Sequence, residues 1–303
     1  MEAFWDTLRS DVHFGILILA SLFGTVGNTF RGLRWQLLNR RVNPHISPIN
    51  SILAVHGNYL VNLAFPRIGE LWRVGVVAHY EHVSFSKLLG TLFADRLVDI
   101  ATLVLMFLLA LVLNTPFFLS LADAHPEVLA RFTSLVSTPL FYLFVAVGVL
   151  TVIGLVLWFR KSSRKETLLH NVTEGLSSIT TMPERGLFLL YTLAIWVSYF
   201  LQFYIAFYAF SFTQWLGMSV ALLTFVVGSL GLLVPTQGGL GGWHLMVIYA
   251  LATFGVSMPE AQSFALIVHT FQALIWTGVV GGVAMLLLPL VNSKKKTDRI
   301  NQI

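Results

Sequence analysis

The chain has 303 residues, of which 56% are hydrophobic and only 11% are charged, whereas an ordinary soluble domain carries about 25% charged residues. This composition excludes a soluble globular protein and predicts an integral membrane protein, because so many apolar side chains need lipid to cover them. The chain contains no cysteine, which excludes disulfides, iron–sulfur clusters and catalytic thiols. The formal charge of +5 bears on orientation in the membrane rather than on nucleic-acid binding.

Five apolar segments are long enough to cross a bilayer as helices. They cover residues 14–30, 97–113, 140–159, 187–210 and 264–290. Two further apolar stretches, 49–77 and 218–254, are interrupted in the middle by glycine, proline and polar residues. Each of these can form two short crossings or one re-entrant hairpin. We therefore predict an all-α polytopic membrane protein with about seven to nine membrane segments, including the two broken hairpins.

Basic residues predict the orientation of these segments. Lysine and arginine concentrate after the first segment, between the third and fourth segments, and in the tail 291–303. The positive-inside rule places these three regions in the cytoplasm and the N-terminus outside. Each interrupted stretch then begins and ends on one side of the membrane, the first inside and the second outside. That pattern is typical of an inverted-topology repeat, here with halves 1–139 and 140–303 of a single membrane domain.

The first interrupted stretch carries charged residues directly after Pro66. Proline prevents a continuous helix, and Arg67, Glu70 and Arg73 follow at a spacing that places them on one helical face. On such a face Glu70 can pair with one arginine and leave the other for an anion, which arginine binds through two parallel hydrogen bonds. The alternative is an interfacial helix whose charges are solvated.

Two more charged groups lie at the cytoplasmic ends of predicted segments. Asp95 and Asp99 are one helical turn apart and can cap the second segment; alternatively, Asp99 can bind an arginine of the preceding hairpin and fix its geometry. Arg31 and Arg34, followed by Trp35, can either anchor the first segment at the interface or collect anionic head groups.

The second interrupted stretch is rich in glycine at its break. Glycines let the backbone approach a ligand closely, and a helix beginning near Trp243 would point its positive end there; the alternative is a purely structural break. The lysine of a phosphate-binding P-loop is absent. His244 can sense protons, bind substrate or simply pack. His269 and Gln272, one turn apart in the last segment, are predicted to hydrogen bond across helices.

These motifs resemble the flippase-like family of the lysylphosphatidylglycerol synthase transmembrane region. The resemblance covers nearly the whole chain and rests on Arg31, Arg34, Trp35, Gly57, Asn58, Asn62, Pro66, Arg67, Gly69, Glu70, Arg73, Asp95, Arg96, Asp99, Pro235, Gly238, Gly239, Leu240 and Gly241. His244 departs from the pattern, because family members commonly carry an acidic residue near that place.

The resemblance implies a protein of the bacterial inner membrane that moves, or helps to move, a lipid or lipid-linked precursor between leaflets. In bifunctional members a soluble domain also transfers an aminoacyl group to phosphatidylglycerol. Only a short tail follows Leu290, so we expect this chain to lack that domain and to be no enzyme.

The leading hypothesis is a flippase-like transporter of an anionic phospholipid or a polyprenyl-phosphate-linked lipid, without a metal or other cofactor. Its head-group ligands are predicted to be Arg67, Arg73, Arg31 and Arg34. The residues predicted to orient them are Asn58, Asn62, Glu70, Asp95, Arg96 and Asp99. The opposing outer hairpin contains Pro235, Gly238, Gly239, Gly241 and His244. The alternative is a non-transporting membrane partner that docks a separate glycosyltransferase or aminoacyltransferase.

Overall fold

The computed structural model describes residues 11–117, 182–232 and 236–300, with side chains through 293, and a few isolated residues elsewhere. Its regular elements are all helical, which confirms the predicted all-α class. Four helices are long and apolar enough to cross a membrane: Phe14–Asn39, Phe85–Leu113, Arg185–Phe207 and Met258–Ser293. They coincide with four of the five predicted segments, and the fifth, 140–159, lies outside the described residues.

The helices are numbered here in chain order. They are α1 (Phe14–Asn39), α2 (Pro48–Ala64), α3 (Ile68–Glu81), α4 (Phe85–Leu113), α5 (Arg185–Phe207), α6 (Met218–Gly231), α7 (Gly242–Thr253), α8 (Met258–Val268) and α9 (Thr277–Ile300). A π-helical segment, His269–Trp276, joins α8 to α9, and a short 3₁₀ turn, Gln237–Gly239, lies between α6 and α7.

Each interrupted stretch folds as a pair of packed helices. The first hairpin consists of α2, the break at 65–67 and α3, and the second consists of α6, the break at 232–241 and α7. With 14 residues in α3 and in α6 and 12 in α7, these helices are about 18–21 Å long. That is shorter than the roughly 30 Å of a bilayer's hydrocarbon core. None of these three helices can cross that core alone.

The first hairpin closes tightly at Gly69, near the start of α3. Its amide N–H donates to Asn62 Oδ1 at 2.8 Å, and its Cα lies directly against the backbone carbonyl of Asn58 in α2. The second hairpin closes in the same way, because Gly231 at the end of α6 lies against the backbone of Gly242 at the start of α7. In both hairpins a glycine beside the break lets two helices approach backbone to backbone.

Gly69→Ala should destabilise the first hairpin by about 1–3 kcal/mol, because the new Cβ would overlap the Asn58 carbonyl and the Asn62 side chain. Gly75→Ala in the same helix is the matched control, since its Cβ would meet only Phe85 at 3.9 Å. Apparent melting temperatures of the two variants in detergent measure the difference. Equal melting of both variants would contradict the close approach at Gly69.

The long helices pack into a bundle in which α5 lies along α1, and α9 lies along α2 of the first hairpin. At one end of this bundle an aromatic core forms between α5 and α8, where Phe203, Phe207 and Phe210 pack on Phe264 with ring centroids 5.2–6.1 Å apart. At the other end, near the junction of α1 with α3 and α4, the interior is charged instead.

Candidate functional site

Charged side chains from α1, α3 and α4 meet inside the bundle. Asp95 of α4 is wholly buried and accepts from Arg34 of α1, whose Nη2 lies 2.6 Å from Asp95 Oδ1. The same guanidinium reaches Asp99 Oδ1 at 2.7 Å. From α3, Arg73 Nη2 lies 3.3 Å from Asp95 Oδ2. The Asp95 carboxylate of α4 therefore binds arginines of both α1 and α3, and α3 belongs to the first hairpin.

The edge of this group is partly open. Arg31 Nη2 lies 3.1 Å from Asp99 Oδ2, and Arg96 Nη1 lies 3.4 Å from Glu70 Oε1. The side chains of Arg96 and Glu70 are 28% and 23% exposed, whereas those of Arg34, Arg73 and Asp95 are 0% exposed. We call these seven residues the arginine cluster: Arg31, Arg34, Arg73, Arg96, Glu70, Asp95 and Asp99.

The cluster lies within the long helices rather than at their ends. Arg31 is eight residues, or about 12 Å, from the Asn39 end of α1. Asp95 and Asp99 are ten and fourteen residues past the start of α4 at Phe85. The predicted helix caps at Asp95 and Asp99 are therefore wrong, because α4 begins earlier than the apolar run. The predicted pairing of Asp99 with an arginine of the hairpin is also wrong, because Arg73 binds Asp95 whereas Asp99 binds arginines of α1. The interfacial anchor is also wrong, because Arg31 and Arg34 are buried.

Positive charge exceeds negative charge in the cluster, with four arginines against three carboxylates. Within the described part of the chain, Arg73 Nε and Nη1, Arg31 Nε and Arg96 Nε have no hydrogen-bond partner although they are buried. The Trp35 ring lies 4.7 Å from the Arg73 guanidinium and stabilises its charge. Buried donors without acceptors are costly, and an anion would satisfy them.

Arg67 lies apart from this cluster, at the break of the first hairpin. It precedes α3 with a left-handed backbone (φ 66°), and its side chain is exposed. Its Nη2 donates to the Leu232 carbonyl of the second hairpin at 3.3 Å. The predicted common face of Arg67, Glu70 and Arg73 is therefore wrong, because Arg67 is outside the helix and Arg73 is buried. Glu70 pairs with Arg96, an arginine of α4.

Asn58 and Asn62 line the inside of the first hairpin. Asn62 accepts from Gly69, as described above, and Asn58 is buried beneath the same glycine. The structure thus places both amides beside the break rather than in the arginine cluster. They shape the hairpin that carries Glu70 and Arg73.

The glycine-rich break forms the matching part of the second hairpin. Gly238, Gly239 and Gly241 all have positive φ, between 58° and 91°, a conformation that glycine adopts without strain. The tips of the hairpins are neighbours, because a Cβ at Gly238 would lie 3.1 Å from Leu63 of α2. Pro235 lies outside the described residues.

Two histidines meet beside this break. His269 Nε2 lies 2.8 Å from the Gly238 carbonyl, and the rings of His244 and His269 are 4.4 Å apart. Among the described residues no third histidine or carboxylate joins them to form a metal site. Gln272, the partner predicted with His269, lies 3.3 Å from Gln202 of α5. The predicted hydrogen bond across helices is confirmed for Gln272, whereas His269 bonds to the break of the second hairpin.

Several uncharged polar side chains lie beside the cluster, and none of them is among the predicted site residues. Tyr199 of α5 donates to Asn28 Oδ1 at 2.6 Å and lies 3.3 Å, hydroxyl to hydroxyl, from Tyr59 of α2. Thr29 Oγ1 lies 3.2 Å from His56 Nε2. The facing glycines Gly24 and Gly27, which lie against Gln202 and Tyr199, are the signal in the sequence that could have pointed to this contact between α1 and α5.

The family model described as the lysylphosphatidylglycerol synthase TM region matches residues 1–282. No curated protein and no solved structure matches the chain. The family is a membrane region rather than an enzymatic domain, which agrees with the apolar helices described above.

Proposed function

This chain belongs to the family of the lysylphosphatidylglycerol synthase transmembrane region, and we propose that it is a flippase-like transporter that moves an anionic lipid between the leaflets of the bacterial inner membrane. The observation that carries the proposal is the arginine cluster, in which four guanidinium groups face three carboxylates and several buried N–H donors have no partner. Charged groups inside a membrane are costly, so they mark a functional path by default.

The two hairpins supply the path in this proposal. Three of their four helices, α3, α6 and α7, are too short to cross the hydrocarbon core. In this proposal the hairpins enter the membrane from opposite sides, with the C-terminus in the cytoplasm and the N-terminus outside. Support comes from the contacts at their tips, where Arg67 meets Leu232 and Leu63 lies beside Gly238. Broken helices that meet in this way form the substrate site of many transporters built from inverted repeats.

The head-group phosphate first meets Arg67, which is exposed at the tip, and Arg96, which is partly exposed at the edge of the cluster. Arg96, Arg73 and Arg31 then become its ligands through the N–H groups that lack partners. Asp95 and Asp99 hold Arg34 and keep the cluster together. Arginine is suited to this role because its planar fork binds phosphate with two hydrogen bonds.

Liposomes that contain the purified protein and fluorescent phosphatidylglycerol test the proposal through the rate of lipid exchange between leaflets. Arg67→Gln and Arg96→Gln should each slow this exchange by about tenfold or more, because each removes a charged hydrogen bond to phosphate. Arg41→Gln is the matched control, since Arg41 is exposed in the turn after α1 and outside the cluster.

Exchange at the control rate in both variants would refute the assigned site. Wild-type protein that exchanges no lipid would instead favour the alternative role, a membrane partner for a separate transferase.

A further inference from the structure

Uncharged polar side chains form a half-buried shelf directly beside the arginine cluster. We define the polar shelf as Asn28, Thr29, His56, Tyr59 and Tyr199, which come from α1, α2 and α5. The Arg31 guanidinium lies 5.4 Å from the centre of the Tyr199 ring, so one arginine joins the cluster to the shelf. A head group whose phosphate occupies the cluster would therefore place its outer part against the shelf.

The shelf offers hydrogen bonds but no negative charge. Its members are two phenols, an amide, a hydroxyl and an imidazole, and all but His56 are partly accessible. Tyr59, Tyr199 and Asn28 already form a chain of hydrogen bonds, which a ligand's hydroxyl groups can join as both donors and acceptors. Phenol rings also present flat apolar faces to the carbon skeleton of a polyol.

An ammonium group would find no partner at this place. In the ranges that the structure describes, the carboxylates of the cluster are paired with arginine. The acidic residues Glu81, Glu260 and Asp11 accept hydrogen bonds elsewhere, from Asn50, Ser257 and Ser211 respectively. The excess positive charge of the cluster would also repel a cationic head group.

Resting on the proposed function, we propose that the polar shelf binds the hydroxyl groups of the transported head group, so that the substrate is a phosphate lipid that carries a polyol and no ammonium group. The polyol can be a glycerol or a ring such as a sugar, since both present adjacent hydroxyls.

Native mass spectrometry of the detergent-solubilised protein, titrated with four lipids, measures this selectivity as binding. Phosphatidylglycerol should bind about tenfold more tightly than lysyl-phosphatidylglycerol, because the latter adds positive charge beside Arg31. Phosphatidic acid, which has phosphate without a polyol, should also bind more weakly than phosphatidylglycerol. Phosphatidylinositol distinguishes the two kinds of polyol. If it binds more tightly than phosphatidylglycerol, the polyol of the substrate is a ring; if it binds more weakly, the polyol is glycerol.

The double variant Tyr59→Phe/Tyr199→Phe removes the two phenol hydroxyls of the shelf and leaves the cluster intact. It should lower phosphatidylglycerol affinity to that of phosphatidic acid, while phosphatidic acid binding, which also reports folding, stays unchanged. Tyr204→Phe/Tyr208→Phe is the matched control, since these two tyrosines also pair through their hydroxyls, 2.7 Å apart, at an exposed position. The control should bind all four lipids like the wild type.

Equal binding of phosphatidylglycerol and lysyl-phosphatidylglycerol would overturn the inference, as would an unchanged lipid preference in the shelf variant. Failure of the proposed function looks different: the wild type would then bind phosphatidylglycerol selectively without moving it between leaflets.

Discussion

Asp95→Asn should lower the stability of the folded protein by about 3–5 kcal/mol, the usual effect of breaking a buried ion pair. The Asp95 side chain is 0% exposed and lies between three guanidinium groups, those of Arg34, Arg73 and Arg96, at 2.6, 3.3 and 3.6 Å. Without its charge, these cations repel one another, and one accepting carboxylate oxygen is replaced by an NH2 group that cannot accept from arginine. The apparent melting temperature in detergent should fall by about 10 °C.

Two further variants make this result specific. Glu184→Gln is the control, because this exposed acidic residue precedes α5 and its charge should have little effect. Adding Arg73→Met to Asp95→Asn should recover part of the lost stability, since it removes one unpaired cation from the interior. If Asp95→Asn melts within about 2 °C of the wild type, Asp95 does not hold the cluster together.

Locking the first hairpin to α9 should abolish lipid exchange. Leu60 of α2 and Gly281 of α9 face each other so closely that a Cβ at position 281 would lie 2.7 Å from the Leu60 Cβ. Cysteines at both positions therefore need only a small separation to reach disulfide geometry, with a Cβ–Cβ distance of about 3.8 Å. Because the chain contains no cysteine of its own, oxidation joins only the introduced pair.

The measurement compares one sample of Leu60→Cys/Gly281→Cys before and after reduction. Exchange of fluorescent phosphatidylglycerol should be absent in the oxidised sample and return when the disulfide is reduced, because we expect the first hairpin to move away from α9 as the lipid passes. The single variants Leu60→Cys and Gly281→Cys are the controls under the same oxidant. A fully oxidised sample that exchanges lipid at the reduced rate would show that this movement is unnecessary.

The amino-acid pattern predicts the helices of this protein well. Apolar runs mark the four long helices, and glycine and proline mark both breaks, because in a bilayer any interruption of backbone hydrogen bonding needs a special residue. Pro66 and the glycines at 238–241 are therefore readable directly. The ends of α1 and α4 are harder to predict from the sequence, because both helices extend beyond their apolar runs into charged residues that tertiary contacts bury.

The partners within the site are harder to predict than its members. All seven residues of the arginine cluster were expected to act in the site, but their pairing depends on tertiary packing: Arg34 reaches Asp95 across 61 positions of sequence. Spacing along one helix suggested that Glu70 would pair with a neighbour in the hairpin, whereas it pairs with Arg96. Tyr199 was not expected at all, since an aromatic residue in an apolar segment reads as a packing residue.

Arg67 has a left-handed backbone at the point where the two hairpins touch. A non-glycine residue in the left-handed region is strained by about 1–2 kcal/mol, and a glycine at this position would relieve that strain. A chain optimised only for stability would therefore favour glycine where the two hairpins touch. By keeping a guanidinium group there, the protein gives up some stability where the two hairpins touch and retains a positive charge at that contact.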